Sequence, residues 1–374
     1  MAQTRLGLSM VDQGLGEKAV SYTVLGGDFS FKHPTILYLG GRFNTSHEMS
    51  CCGIRFIERV MALLNITRDK VQFVASCYQN LSPEEAQCEE MYLRLQKQGT
   101  LTPEEKEFLD KSGFDSARLK YPGYLSDLYE DYVKPLISHP SIDGKPEKLP
   151  FAAALRNMRC VNIVAHSQGT CAAVMFGDLL YEKMLAMGYT KAEAVQIERQ
   201  VFVLSAGSIA PLGVSRFTTV NFVSLKDKRT AAGFLPSGCN HIIMKQMPLS
   251  KGVCRFYRLG VNESVLTVDE LCHNQGEQKD KIEHALKNYL SEGEHKKTPQ
   301  GRLGTQIALD LFAASVCNSV FNSRTMHFSP LNKALKGNVN PSMEAVCRNS
   351  AAGQALLDAK RGVRPSKFTQ INGR

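Results

Sequence analysis

Six short runs of near-continuous apolar character punctuate the chain, at residues 20–25, 35–39, 71–75, 161–165, 201–204 and 220–225. They are rich in β-branched residues, and stretches of helical character separate them. Val161-Asn162-Ile163-Val164-Ala165 illustrates the type: apolar side chains stand on both sides of an extended backbone. A strand needs this composition only when helices cover both faces of its sheet, which is the situation of parallel strands joined by crossover helices. The pattern therefore predicts an α/β fold with a mainly parallel sheet flanked by helices. A further pair of runs, 242–247 and 253–259, reads as a hairpin or as one strand plus a loop.

The intervals between the runs divide the chain. Residues 1–79 and 149–295 carry the strands and read as one core. Residues 80–148 form a charged, helix-prone insertion on the carboxyl side of the third strand, where lids and caps sit. Three helices are expected in it. One starts at Pro83-Glu84-Glu85, one at Pro103-Glu104-Glu105, and one covers 125–137. Proline and acids suit a first helical turn, which lacks hydrogen-bond partners for its N–H groups and carries the positive end of the helix dipole. Beyond Leu259 the chain reads as polar and helical. Residues 296–374 then form a helical extension with a broad apolar face over 307–321 and a basic tail from Lys360 to Arg374.

The densest chemical information lies where the fourth run ends, in Ala165-His166-Ser167-Gln168-Gly169-Thr170. A strand ends near Ala165, a helix rich in small residues begins near Gly169, and a serine sits between them. A serine in so sharp a turn needs small neighbours two places to either side, and Ala165 and Gly169 meet that requirement. Its Oγ would project above the sheet, while the Gln168 N–H at the helix N-terminus would face any oxyanion formed there.

With its His-Ser-Gln-Gly elbow, the chain resembles the α/β-hydrolase superfamily. The likeness is to lipase-like and esterase-like members, including several bacterial effector phospholipases. It spans roughly residues 20 to 290 by strand order, and its specific motif is the elbow. Alanine at 165, where the superfamily usually has glycine, is the one departure.

The resemblance implies a Ser, acid, His order along the chain. Ser167 is then the nucleophile. Asp227, ending the run Val220-Asn-Phe-Val-Ser-Leu225-Lys226, is the expected acid, with Asp269 the weaker substitute and Asp178 a helix-surface or core-polar residue. His284, in a His-then-Tyr-Leu segment like the one that bears the base in relatives, is the expected base, with His273 and His241 as alternatives. His295 and His327 rank below these, and His166 is expected to give packing and polar support. The N–H of Gln168, joined by that of Arg42 or Phe43 in the Gly40-Gly41 loop, would form the oxyanion hole.

Other chemistries are excluded or unneeded. The G-K-[ST] phosphate loop and the G-x-G-x-x-G fingerprint are absent, as are H-E-x-x-H, C-x-x-C and EF-hand patterns, so no cofactor and no metal is expected. The eleven cysteines have no repeated spacing, and most of them read as buried thiols. No run of about 18 apolar residues offers a spanning helix. The first twenty residues lack a basic start followed by an apolar stretch, so the expectation is a cytoplasmic protein or one exported without a cleaved leader.

Forty-five basic against 36 acidic residues give a formal net charge of +9. That balance fits peripheral contact with an anionic membrane. Nucleic acid is not expected as a partner, because the basic residues are dispersed without interleaved aromatics. The expected function is hydrolysis of a carboxylic ester, a lipid acyl ester before a small soluble one. Since fold does not guarantee activity, a catalytically inactive hydrolase-fold interaction protein is the other reading.

Overall fold

The computed structural model describes residues 22–25, 33–41, 47–77, 91, 100–112, 121, 123–140, 146–232, 254–259, 261–273, 279–291, 293 and 295–324. Its strands are β1 (Tyr22–Leu25), β2 (Thr35–Leu39), β3 (Gln72–Ser76), β4 (Ser138–Pro140), β5 (Pro146–Lys148), β6 (Val161–Ser167), β7 (Phe202–Ser208), β8 (Thr218–Ser224), β9 (Arg255–Arg258) and β10 (Glu263–Val268). The helices that matter below are α1 (His47–Leu63), α2 (Pro103–Ser112), α3 (Gly123–Leu128), α4 (Lys134–Ile137), α5 (Phe151–Met158), α6 (Gln168–Ala186), α7 (Lys191–Glu198), α8 (Lys228–Ala232), α9 (Lys279–His284), α10 (Leu286–Leu290) and α11 (Pro299–Arg324).

Eight strands form one sheet in the order β1-β3-β2-β6-β7-β8-β10-β9, and β4 and β5 pair separately. The inner strands are all parallel, while β1 on β3 and β9 on β10 close the two edges antiparallel. Alternate residues of each strand face opposite helical layers. Ile36, Tyr38, Phe202, Leu204 and Phe222 pack with Ile54, Ile57 and Met61 of α1 and with Leu311, Phe312 and Val316 of α11. On the other face Leu37, Leu39, Ile163, Ala165 and Val203 pack with α3 to α7. The result is the mixed α/β architecture, with a mainly parallel sheet between helical layers, that an α/β-hydrolase-like fold requires.

The helical regions at 80–148 and beyond 296 contribute directly to these layers. In the insertion, Tyr124, Leu125, Leu128, Tyr132, Val133 and Ile137 are buried against Leu37, Leu39 and Val74, so α3 and α4 cover the sheet. Between them the backbone makes one π-helical turn, Tyr129–Val133, just before Pro135, which has no N–H to continue the α pattern. The other described helix of the insertion, α2, buries Leu109 against Met91 in a separate cluster.

Similarly, α11 is a core helix that crosses the sheet. Full burial of side chains such as Phe312 and Val316 is worth about 1.5–3 kcal/mol each. Asn162, buried near the start of β6, accepts from Ser315 Oγ at 2.8 Å and donates to Ser319 Oγ at 3.0 Å. That pairing fixes α11 against β6 while satisfying an otherwise costly buried amide. The expected first insertion helix near residue 83, the run at 242–247 and the basic tail lie outside the described residues.

In the main sheet, β10 is the strand that the sequence did not announce; the short β4 and β5 of the insertion were not announced either. The β10 residues Glu263, Ser264 and Thr267 break the apolar pattern, yet all are buried. Glu263 is accommodated because Asn221 Nδ2 donates to it at 2.7 Å and the Ser215 N–H at 2.9 Å. Desolvation of this carboxyl pushes its pKa upward despite those donors.

Candidate active site

The carboxyl ends of β2 and β6 meet where the chain order reverses: β3 lies to one side of β2, while β6, β7 and β8 continue on the other. Open α/β sheets offer their binding crevice at such a switch point. Gly40 and Gly41 follow β2, and Ser167 ends β6.

Ser167 has φ 52° and ψ −122° and is one of two non-glycine residues with positive φ among those described. Such a conformation costs roughly 1–3 kcal/mol and persists only where its surroundings enforce it. The enforcing contacts are visible. A Cβ on Gly169 would lie 2.0 Å from the Leu39 carbonyl oxygen and 2.5 Å from that of Gly40, so the first turn of α6 approaches β2 through glycine alone. Thr170 Oγ1 donates to the Ser167 carbonyl at 2.6 Å and accepts the N–H groups of Ile209 and Ala210, tying the elbow to the end of β7. Ser167 Oγ does not cap its own helix.

Instead, that hydroxyl lies 2.9 Å from His284 Nε2, and His284 Nδ1 lies 2.8 Å from Asp227 Oδ2. Asp227 accepts, so Nδ1 carries the proton, and Nε2 is left free to accept from the serine. Asp227 sits in the turn between β8 and α8, is fully buried, and receives the N–H groups of Arg229 and Thr230 on Oδ1. Oδ2 receives Thr230 Oγ1 at 2.9 Å and the Tyr289 hydroxyl at 2.8 Å in addition to the imidazole. Burial alone would push this carboxyl up. The hydrogen bond and charge of His284, with the donors Tyr289 and Thr230, outweigh burial and hold it below its ordinary value.

Two neighbours position His284. Glu283 accepts from the Leu271 N–H at 2.6 Å and from Ser224 Oγ, which anchors α9 across the ends of β8 and β10. His166 Nε2 donates at 2.8 Å to the His284 carbonyl, with the two rings 5.2 Å apart. Desolvation, reinforced by the adjacent His284, pushes His166 down to about 4. At neutral pH it is therefore an uncharged donor, a supporting part of the site.

The serine, acid and base named from the sequence thus come together in one hydrogen-bonded chain. Gly41 also arrives, since a Cβ there would lie 3.4 Å from Ser167 Cβ. Gln168 occupies the first position of α6. Arg42, Phe43, His241 and His327 lie outside the described residues. His273 is exposed and gives its backbone N–H to Lys296; His295 is partly buried and offers its carbonyl to Cys272. Asp178 pairs with Arg216 at 2.6 Å, and Asp269 lends its carbonyl to the turn at Ser224.

Sequence reasoning missed Thr170, Glu283 and the part played by Tyr289. For the tyrosine a signal existed, in its place five residues after the histidine.

A hydroxyl with a proton acceptor at 2.9 Å, itself oriented by a buried carboxylate, has the parts that turn a weak nucleophile into a reactive one. Among the described residues no group of three or more His, Cys, Asp or Glu is placed to hold a metal ion, and no helix is long and apolar enough to cross a membrane. No protein-family model matches the chain, and no curated protein sequence matches it.

Proposed function

We propose that the chain is a serine hydrolase of the α/β-hydrolase superfamily that cleaves a carboxylic ester through an acyl-enzyme intermediate. The observation that carries this reading is the continuous link from a positive-φ serine at a strand-to-helix elbow, through His284, to the buried Asp227. Ser167 Oγ attacks the carbonyl carbon while His284 Nε2 takes its proton. Asp227 keeps the imidazole in the Nδ1–H tautomer and stabilises the imidazolium. Negative charge on the carbonyl oxygen falls to the Gln168 N–H and to a donor from the loop at Arg42 and Phe43. His284 then protonates the departing alcohol, and water repeats the sequence to release the acid.

The leading substrate class is a lipid acyl ester. A net charge of +9 supports this choice, because it favours association with anionic interfaces. The elbow sequence agrees with it. The test is a panel of short p-nitrophenyl esters, triacylglycerols and phospholipids, with Ser167→Ala as control. Wild-type protein is expected to release acid from at least one acyl ester, and Ser167→Ala to lose that turnover by about a thousandfold or more. A folded wild-type chain that leaves every ester intact would instead support the inactive scaffold.

A further inference from the structure

We propose that Tyr289 is a positioning residue for the same reaction, a fourth member of the Ser167–His284–Asp227 chain that fixes the carboxylate and limits its pull on the base. This role rests on the hydrolase reading for its kinetic consequence, while the hydrogen bonds themselves stand apart from it.

The direction of each bond is determined by chemistry. Tyr289 has one hydroxyl proton. The Ser224 N–H, 3.2 Å away, can only donate, so the phenol oxygen accepts there. Asp227 is ionised and can only accept, so the phenol proton goes to Oδ2 at 2.8 Å. That oxygen is the one that receives His284 Nδ1–H. With the Thr230 hydroxyl at 2.9 Å, three donors therefore share the same charge, and the tyrosine is itself fixed by the backbone of β8.

The surroundings are shaped for this meeting. Tyr289 is fully buried, and its ring stands edge-on to Phe222 at 5.2 Å. Gly207, at the end of β7, has φ 59°, and a Cβ there would come within 3.1 Å of the Tyr289 ring and 3.4 Å of both Asp227 Oδ2 and His284 Nδ1. A glycine takes that positive φ without strain and spares the Tyr289 ring a tight contact. Other titratable or charged groups around the pair are His166 from β6, Glu283 from α9 and Arg229 from α8. Of the described side chains that donate to Asp227 Oδ2, namely His284, Tyr289 and Thr230, the first two are titratable; Arg229 reaches Oδ1 through its backbone N–H.

Tyr289→Phe keeps the ring and deletes one competing donor. The carboxylate then attracts the imidazolium more strongly, so the acidic limb of the kcat/KM profile is expected to move up by about half a pH unit or more. The carboxylate also loses one of its anchors, so kcat is expected to fall about tenfold with KM within about twofold. In an Asp227→Asn background the same substitution is expected to add nothing.

A readout independent of turnover is the low-field proton resonance of His284 Nδ1–H, which is expected to shift downfield in Tyr289→Phe. An unmoved resonance and pH profile in folded Tyr289→Phe, or a full additional loss in the Asp227→Asn background, would reduce Tyr289 to a packing residue. Should Tyr289→Phe fail to fold, the wild-type hydroxyl proton of Tyr289 decides. An exchange-protected resonance lost in Asp227→Asn supports the proposal, and its absence overturns it. A wild-type chain without esterase turnover would sink the hydrolase reading, and the two proton resonances would still decide whether the fourth link exists.

Discussion

His284→Ala is expected to lower turnover of a short p-nitrophenyl ester by about ten-thousandfold while the protein stays folded. Among the described residues, the substitution removes the only side chain that joins Ser167 Oγ to Asp227. Without it the serine keeps its proton at neutral pH and attacks poorly. Folding survives because Asp227 retains the N–H groups of Arg229 and Thr230, the Thr230 hydroxyl and the Tyr289 hydroxyl. Losing one donor of that set costs about 1–3 kcal/mol, which a shift in the thermal midpoint would register. Near wild-type turnover in a folded His284→Ala protein would remove the base from the account.

Gly169→Ala has the largest expected effect on the fold around the site. The added methyl carbon would meet the Leu39 carbonyl oxygen at 2.0 Å, and the atoms in its way are backbone of a central strand. Flexible side chains can turn aside, whereas a hydrogen-bonded strand between β3 and β6 cannot. The expected cost is about 4 kcal/mol or more, seen as a fall of roughly 10 °C in the thermal midpoint together with loss of esterase activity. Ala165→Gly is the informative control. It restores the glycine usual two residues before the nucleophile in the resembled superfamily, and by removing one buried methyl it is expected to cost about 1 kcal/mol. A Gly169→Ala protein as stable as Ala165→Gly would show that α6 does not press on β2 as described.

Much of the fold was legible because parallel strands covered on both faces announce themselves by composition. The runs at 35–39, 161–165, 201–204 and 220–225 all lie in central strands of the sheet. β10 was not legible, since its buried polar residues depend on partners that sequence order does not reveal, Asn221 and Ser215 for Glu263. Beyond the boundary drawn at 295/296, the first helix of the extension packs against the sheet. α11 belongs to the core through the pairing of Asn162 with Ser315 and Ser319, more than 150 residues apart in the chain.

In the site, the place of Ser167 was legible from local sterics, namely small residues on both sides of a serine between strand and helix. Asp227 could be named from its place after a strand. The choice among histidines depended on resemblance, because the contacts that place His284 come from His166 and Glu283 and are tertiary. Tyr289 lay in plain sight as a spacing, but its role emerged only once Asp227 Oδ2 was seen to receive its hydroxyl.

The most direct test of the central claim is to treat the native protein with a fluorophosphonate and locate the adduct by peptide mass spectrometry. The predicted result is one phosphonylated residue, Ser167, with labelling that is abolished in Ser167→Ala and strongly slowed in His284→Ala. An adduct on another residue, or a folded protein that takes up no label, would contradict the account.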